Sequence, residues 1–222
     1  MTLKEHLTRL ANVLRMYDYE ALQKSTKMRG SMMPNLFKAE LQMVDKVIDG
    51  SIVYLTSYAD VIPEGKFQAY ASLQKAYFPE VTSIGANAFR DCAALTKVEF
   101  PKVVTVDAYA FQNCTSLYGS VSMPLATTIG NYAFRGCTSL AHVRLDSATA
   151  INTYAFNGCT NLDTLIVGTR NGNTLCRLGN VNSLANTKIA NGSGRILVPG
   201  NMVNSYKAAS GWSTYANMIY AY

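Results

Sequence analysis

Five cysteines and two histidines are the residues of this 222-residue chain best equipped to do chemistry. Cys92, Cys114, Cys137 and Cys159 follow one another at steps of 22, 23 and 22 residues, and Cys176 stands outside the series. A thiolate can attack a substrate, bind a metal or pair as a disulfide, and each use demands a particular spacing. Zinc calls for clustered ligands such as C-x-x-C, and no such cluster occurs. A Cys–His nucleophile needs its base within hydrogen-bond reach. The two histidines are His6 and His142. His142 falls on the outward side of an expected strand, whereas the serial cysteines are expected to point inward. Stacked units about 4.8 Å apart bring equivalent Cα atoms within disulfide range. Equivalent side chains point the same way, however, and disulfide geometry does not favour that. The series therefore reads as a buried column of reduced thiols acting as small hydrophobes. Cys176 is left as the candidate reactive thiol. There is no HExxH, GxGxxG, P-loop or GxSxG motif, and the acids form no suggestive pair. Neither an enzyme nor a cofactor or metal site is expected, and a thiol-dependent enzyme is the rival from another class.

The elements that position the cysteines repeat with them. Phe89, Phe111, Phe134 and Phe156 keep the same 22, 23 and 22 spacing, and Phe67 stands 22 residues before the first. Each unit carries a branched residue, then Ala-Phe, Cys and Leu, as in Ile84, Ala88, Phe89, Cys92 and Leu95. A fixed period in this range marks stacked supersecondary units. One unit is too small to bury its apolar face, and the stack shares a continuous core. Leu95-x-x-Val98-x-Phe100-Pro101 ends in alternation and reads as a short strand closed by proline. Ile84-x-x-x-Ala88-Phe89-x-x-Cys92 has the spacing of a short helix or 3₁₀ turn with one face inward. In the second unit Val121 arrives one position late. This explains the step of 23 and predicts a bulge or loosened turn there.

These units resemble the BspA-like leucine-rich repeats of bacterial surface and phage proteins. The resemblance covers roughly residues 60 to 170. It implies an α/β repeat solenoid: a leucine-rich-repeat right-handed stack with short parallel strands, a helical N-terminal region and a C-terminal cap.

The chain is 49% hydrophobic and 15% charged, as an ordered protein should be. Its formal net charge is +6. Residues 170–222 hold five bases (Arg170, Arg177, Lys188, Arg195, Lys207) and no acid, while residues 51–169 hold seven bases against eight acids. This modest basic end could meet an acidic partner, though solubility explains it as well. Aromatics do not interleave with Lys and Arg as in single-strand binders, so nucleic acid is not expected as a partner. No run of eighteen apolar residues predicts a membrane span. The N-terminus has no continuous apolar signal, which predicts a chain that is cytoplasmic until lysis or virion-associated.

Three regions are expected. Residues 1–50 form a helical N-terminal cap or oligomerisation region. Thr2 and Glu5 have the form of a capping box. Leu3, Leu7, Leu10, Leu14, Tyr17 and Ala21 make a heptad seam that could pack on its own domain or form a homo-oligomer through residues 3–21. Pro34 can open a second helix with Phe37, Leu41, Val44 and Ile48 on one face. Residues 51–169 hold the repeats, with Ile52 to Leu55 as a first strand. Residues 170–222 form a degenerate last repeat and a C-terminal cap. Leu175, Leu178, Val181 and Leu184 keep some apolar spacing there, and Arg195 to Pro199 is a last strand. Met202, Val203, Tyr206, Trp212, Tyr215 and Ile219 suit a short helical closure anchored by Trp212.

The repeat leaves its outward strand positions free to vary, and these are the candidate binding residues. One column is Lys75, Lys97, Ser120, His142 and Thr164. Its neighbour is Tyr77, Glu99, Ser122, Arg144 and Ile166. The expected function is non-enzymatic: binding of a protein or cell-surface glycan, or structural assembly. A looser resemblance, carried by the N-terminal helical piece, Val47 to Ile52, the repeats and the Trp212 closure, is to tail-associated proteins of prophages. The alternative is a bacterial cell-surface adhesin of BspA type.

Overall fold

The structure is a computed structural model and describes residues 60–168 and 174–222. The helices, seam and strand expected before residue 60 lie outside the described residues.

Each repeat lays down two short strands, and both kinds stack in parallel. One ladder has two residues per rung: β1 (Val61–Ile62), β3 (Ser83–Ile84), β5 (Thr105–Val106), β7 (Thr128–Ile129), β9 (Ala150–Ile151) and β11 (Arg177–Leu178). The other side carries β2 (Lys75–Tyr77), β4 (Lys97–Glu99), β6 (Gly119–Ser122), β8 (Leu140–Leu145), β10 (Thr164–Val167), β12 (Arg195–Val198) and β13 (Ile219–Ala221). The inward residues of both sides, Ile84 and Val98 among them, share one core cluster.

The second side is not one sheet. Among the described residues β2 pairs only with β4, while β6, β8, β10, β12 and β13 form a separate five-stranded sheet. The break falls at the long repeat. Register shifts between Gly119 and Ser120, and Gly119 adopts φ +73°. The expected bulge is therefore present, and it also interrupts the ladder between β4 and β6.

The segment from Ile84 to Cys92 forms successive 3₁₀-type turns and not a continuous helix: Ala88, Arg90 and Cys92 N–H donate to the carbonyls three residues back, Gly85, Asn87 and Phe89, at 3.1–3.2 Å. Ile84 closes the rung β3, and the chain then runs through turns. Two residues per unit are left-handed, Asn87 (φ 57°) and Asp91 (φ 61°) in this unit, and they stop the helix from propagating. Alternate amides are thereby freed to bond the next unit. Asn87, Phe89 and Asp91 N–H donate to the carbonyls of Ala108 (3.0 Å), Ala110 (2.7 Å) and Gln112 (2.8 Å). Backbone pairing thus runs from unit to unit through the turns as well as the strands. Among the described residues the α-helix α1 (Val203–Ala208) lies in the cap, so the helical part of the α/β expectation holds there and not in the repeats.

The first left-handed position is filled by Tyr109, Tyr132 and Tyr154 in three successive units. A bulky residue there costs about 1–2 kcal/mol. Stacking offsets it: the rings lie 4.9 Å apart and within 7° of parallel. Deeper in, Phe67, Phe89, Phe111, Phe134 and Phe156 form a second stack at 5.0–5.3 Å.

The C-terminal end is closed by side chains that satisfy backbone groups. Trp212 Nε1 donates to the Cys176 carbonyl at 2.6 Å, and Cys176 N–H donates to the Tyr206 hydroxyl at 3.0 Å. Tyr215 donates its hydroxyl to the Val181 carbonyl. Trp212 is fully buried, as a capping anchor should be. The closure is not wholly helical: Ile219 begins β13, which pairs in parallel with β12.

Candidate binding face

On the second side of the stack, period-2 alternation sorts side chains into core and surface. Ala76, Val98, Val121, Val143, Leu165, Ile196 and Ile219 point inward and are buried. Their neighbours point outward and line up across the ladder. Lys75 stands opposite Lys97; Ser120 opposite His142; His142 opposite Thr164. In the adjacent column Tyr77 stands opposite Glu99, Ser122 opposite Arg144, and Arg144 opposite Ile166. The break at Gly119 divides each column between β4 and β6, so the surface is two panels rather than one.

Exposure along the columns is uneven. Lys97, Glu99, Ser120, Ser122, His142 and Arg144 are exposed, while Lys75, Tyr77 and Ile166 are half-buried. Thr164 corrects the expectation of an exposed position. It is 7% exposed, because the Arg195 side chain comes over it and Arg195 Nε donates to Thr164 Oγ1 at 3.3 Å.

The face carries its own ion pairs. Lys97 lies 2.5 Å from Glu99, and Arg144 Nε lies 2.8 Å from Asp146. The hydrogen bond and charge of Asp146 raise the Arg144 guanidinium further above its ordinary range. His142 Nδ1 lies 2.9 Å from Asp163 Oδ1, which also accepts the Thr164 hydroxyl at 2.8 Å.

Both columns continue beyond the positions legible in the repeat. Arg195 pairs with Thr164, Leu197 with Ile166, and Tyr220 with Leu197. The step from Thr164 to Arg195 is 31 residues, so the period of 22 cannot find it. The proline could have: Pro199 follows Val198 as Pro101 follows Phe100.

The cysteines lie on the inner side and are free thiols. In the column each Sγ–H donates to a phenylalanine carbonyl of the preceding unit: Cys92 to Phe67 (3.0 Å), Cys114 to Phe89 (3.1 Å), Cys137 to Phe111 (3.0 Å) and Cys159 to Phe134 (3.0 Å). Burial pushes the Cys92 and Cys176 thiols from 9.0 up to about 12, and pushes Cys114 and Cys137 well above their ordinary value. A nucleophilic thiol needs the opposite shift. Cys176 is fully buried beneath Trp212 and Tyr206, so the reading of it as a reactive thiol is corrected. Among the described residues no group of His, Cys, Asp and Glu could hold a metal ion. Among them, too, no helix is long and apolar enough to cross a membrane.

Three comparisons bear on this geometry. A family model described as BspA type Leucine rich repeat region matches residues 60–175 in six copies, just over half of the chain. No curated protein matches. Among solved structures, the chain is similar to a leucine rich cell surface protein from Faecalibacterium prausnitzii A2-165, at 28% identity and TM-score 0.49, over 59% of this chain and 36% of that one. A Leucine Rich Repeat protein of T. pallidum has 22% identity and TM-score 0.44 over 55% of this chain and 61% of its own. A leucine-rich repeat protein from Bacteroides ovatus ATCC 8483 has 22% identity and TM-score 0.42 over 69% and 53%. The matches thus span between about a third and three fifths of those proteins' own lengths. By its repeats and by the family match, the chain belongs to the BspA-type leucine-rich-repeat family.

Proposed function

We propose that this chain is the binding region of a bacterial cell-surface adhesin of BspA type, recognising a protein or glycan through the outward face of its strands. The observation that carries the reading is the in-register display on β6, β8, β10, β12 and β13. Its outward side chains include a histidine, two arginines and a tyrosine on a scaffold whose inward residues are fully committed to the core. A stacked scaffold of this kind holds many weak contacts in fixed relative positions. The charged side chains supply selectivity more than raw affinity.

The prophage tail reading rests on the N-terminal helical piece and Val47 to Ile52, which lie outside the described residues, and on the repeats and the Trp212 closure, and the family match favours the adhesin. Location separates the two. Trypsin applied to intact producing cells should remove the protein, and antibody should label unpermeabilised cells. Recovery of the protein with sedimenting phage particles, and not on cells, would replace the adhesin reading with the tail reading.

A further inference from the structure

The five-stranded sheet ends in a cleft of about 530 Å³ where β10, β12 and β13 meet the Gly192–Gly194 turn. That volume suits one or two sugar rings or a small ligand. Asp163, Thr164, Ser193, Arg195, Met218 and Tyr220 contribute to its lining.

The polar groups form a chain with two open ends. Asp163 Oδ1 accepts from the Thr164 hydroxyl and lies 2.9 Å from His142 Nδ1. Arg195 Nε donates to Thr164 Oγ1 at 3.3 Å, and Arg195 N–H donates to the Asp163 carbonyl at 2.7 Å. These contacts fix the arginine by its backbone and by Nε. Its two terminal nitrogens have no partner among the described residues, and nor does Asp163 Oδ2. A guanidinium held this way presents a donor fork that matches a carboxylate. The Asp163 oxygen beside it is an acceptor for hydroxyls. Tyr220 is 51% exposed and adds an aromatic wall.

A donor fork, a hydroxyl acceptor and an aromatic face within one small cleft are the complement of one kind of group. We infer that this cleft binds the acidic sugar of a glycan, a uronic or sialic acid residue. Arg195 takes the carboxylate, Asp163 accepts from ring hydroxyls, and Tyr220 covers the apolar face of the ring. Asp163 also works against a bare anion, because its own charge repels a ligand that offers only carboxylate. A sugar acid offers its carboxylate and its hydroxyl donors from one rigid ring, whereas an acidic side chain of a peptide offers the carboxylate alone. The inference deepens the adhesin reading by naming the ligand class at one end of the same face.

The test is titration calorimetry on the full chain with oligosaccharides ending in glucuronate or N-acetylneuraminate. A galactose-terminated counterpart and an acidic tripeptide serve as competitors. The expected result is binding of an acidic oligosaccharide and not of the neutral one, with no displacement by the tripeptide. Arg195→Gln and Tyr220→Ala should each weaken binding by about tenfold. Both side chains are exposed, and unchanged thermal unfolding of the two variants would confirm intact folds. No binding of either acid, equal binding of the neutral sugar, displacement by the tripeptide, or an unaltered affinity in Arg195→Gln would each overturn the inference. Surface labelling of cells is independent of all these outcomes, so a failure here leaves the adhesin reading standing, and the reverse also holds.

Discussion

The four column cysteines are adapted to packing. Each is fully buried and gives its S–H to a carbonyl that already accepts a backbone N–H, as Phe89 O does from Cys92 N at 3.2 Å. Burial raises the thiols of Cys92, Cys114 and Cys137 in the column, and of Cys176 beside it, and this has a consequence for stability. The unfolded chain releases the Cys92 and Cys176 protons from about pH 9, while the folded chain keeps them to about pH 12, and Cys114 and Cys137 shift in the same direction. The folded state then binds more protons than the unfolded one, so stability falls as pH rises through that window. Tyr206, pushed from 10.0 up to about 12 by burial, acts in the same direction. The denaturation midpoint should therefore drop between pH 8 and pH 11, and a flat profile would show that the thiols are not buried in solution. A disulfide-exchange reagent at pH 8 should label none of Cys92, Cys114, Cys137, Cys159 and Cys176 in the native chain, and all of them in denaturant. The column itself was legible from its spacing. The S–H acceptors were not, because they come from a neighbouring unit 25 or 26 residues away.

At the scale of the element, the strand half of the repeat follows from alternation, and apolar spacing finds the 3₁₀-type turns of the other half but not what keeps them from joining into a helix. Ile84, Ala88, Phe89 and Cys92 have the spacing of a helix face, yet left-handed residues at Asn87 and Asp91 break the run. The signal was present in residue types. The second left-handed column reads Asp91, Asn113, Gly136 and Gly158, residues that tolerate that conformation, but the tyrosines of the first column hide it. Glycine also marks close approach between units. A Cβ on Gly130 would sit 2.5 Å from the Asp107 carbonyl carbon and 2.6 Å from Ala108 N, while one on Gly119 would meet nothing within 4 Å. Gly130→Ala should therefore cost about 3 kcal/mol, since only backbone can move aside. Gly119→Ala should cost about 1 kcal/mol, from its positive φ alone. Urea denaturation of the two variants compares them directly, and equal losses would mean the unit-to-unit approach is looser than described.

For the whole molecule, a repeat stack has stability that passes from neighbour to neighbour, so its ends matter more than those of a globular core. Trp212 and Tyr206 hold the C-terminal end by both backbone groups of Cys176. Trp212→Ala should cost about 3–5 kcal/mol. Hydrogen exchange should show amide protection lost first in β12 and β13, and only later in the rungs around Phe111; uniform loss would contradict end-first opening. The solenoid and the Trp212 anchor could be read in advance because a fixed period and a single tryptophan in the closing segment are local signals. The strand from Arg195 to Pro199 could be read as well, but its place in the face could not be read from the period, because the last unit is longer than the rest and the sheet skips the insertion. The central claim is that this molecule recognises its partner with the outward strand face. Beads coated with the full chain should adhere to mucin- or matrix-protein-coated surfaces. Reversing the face with Lys97→Glu, His142→Ala and Arg144→Glu should abolish adherence, while Arg135→Glu on the turn segment should leave it intact. Adherence that survives the face variant, or is lost with Arg135→Glu instead, would contradict the claim.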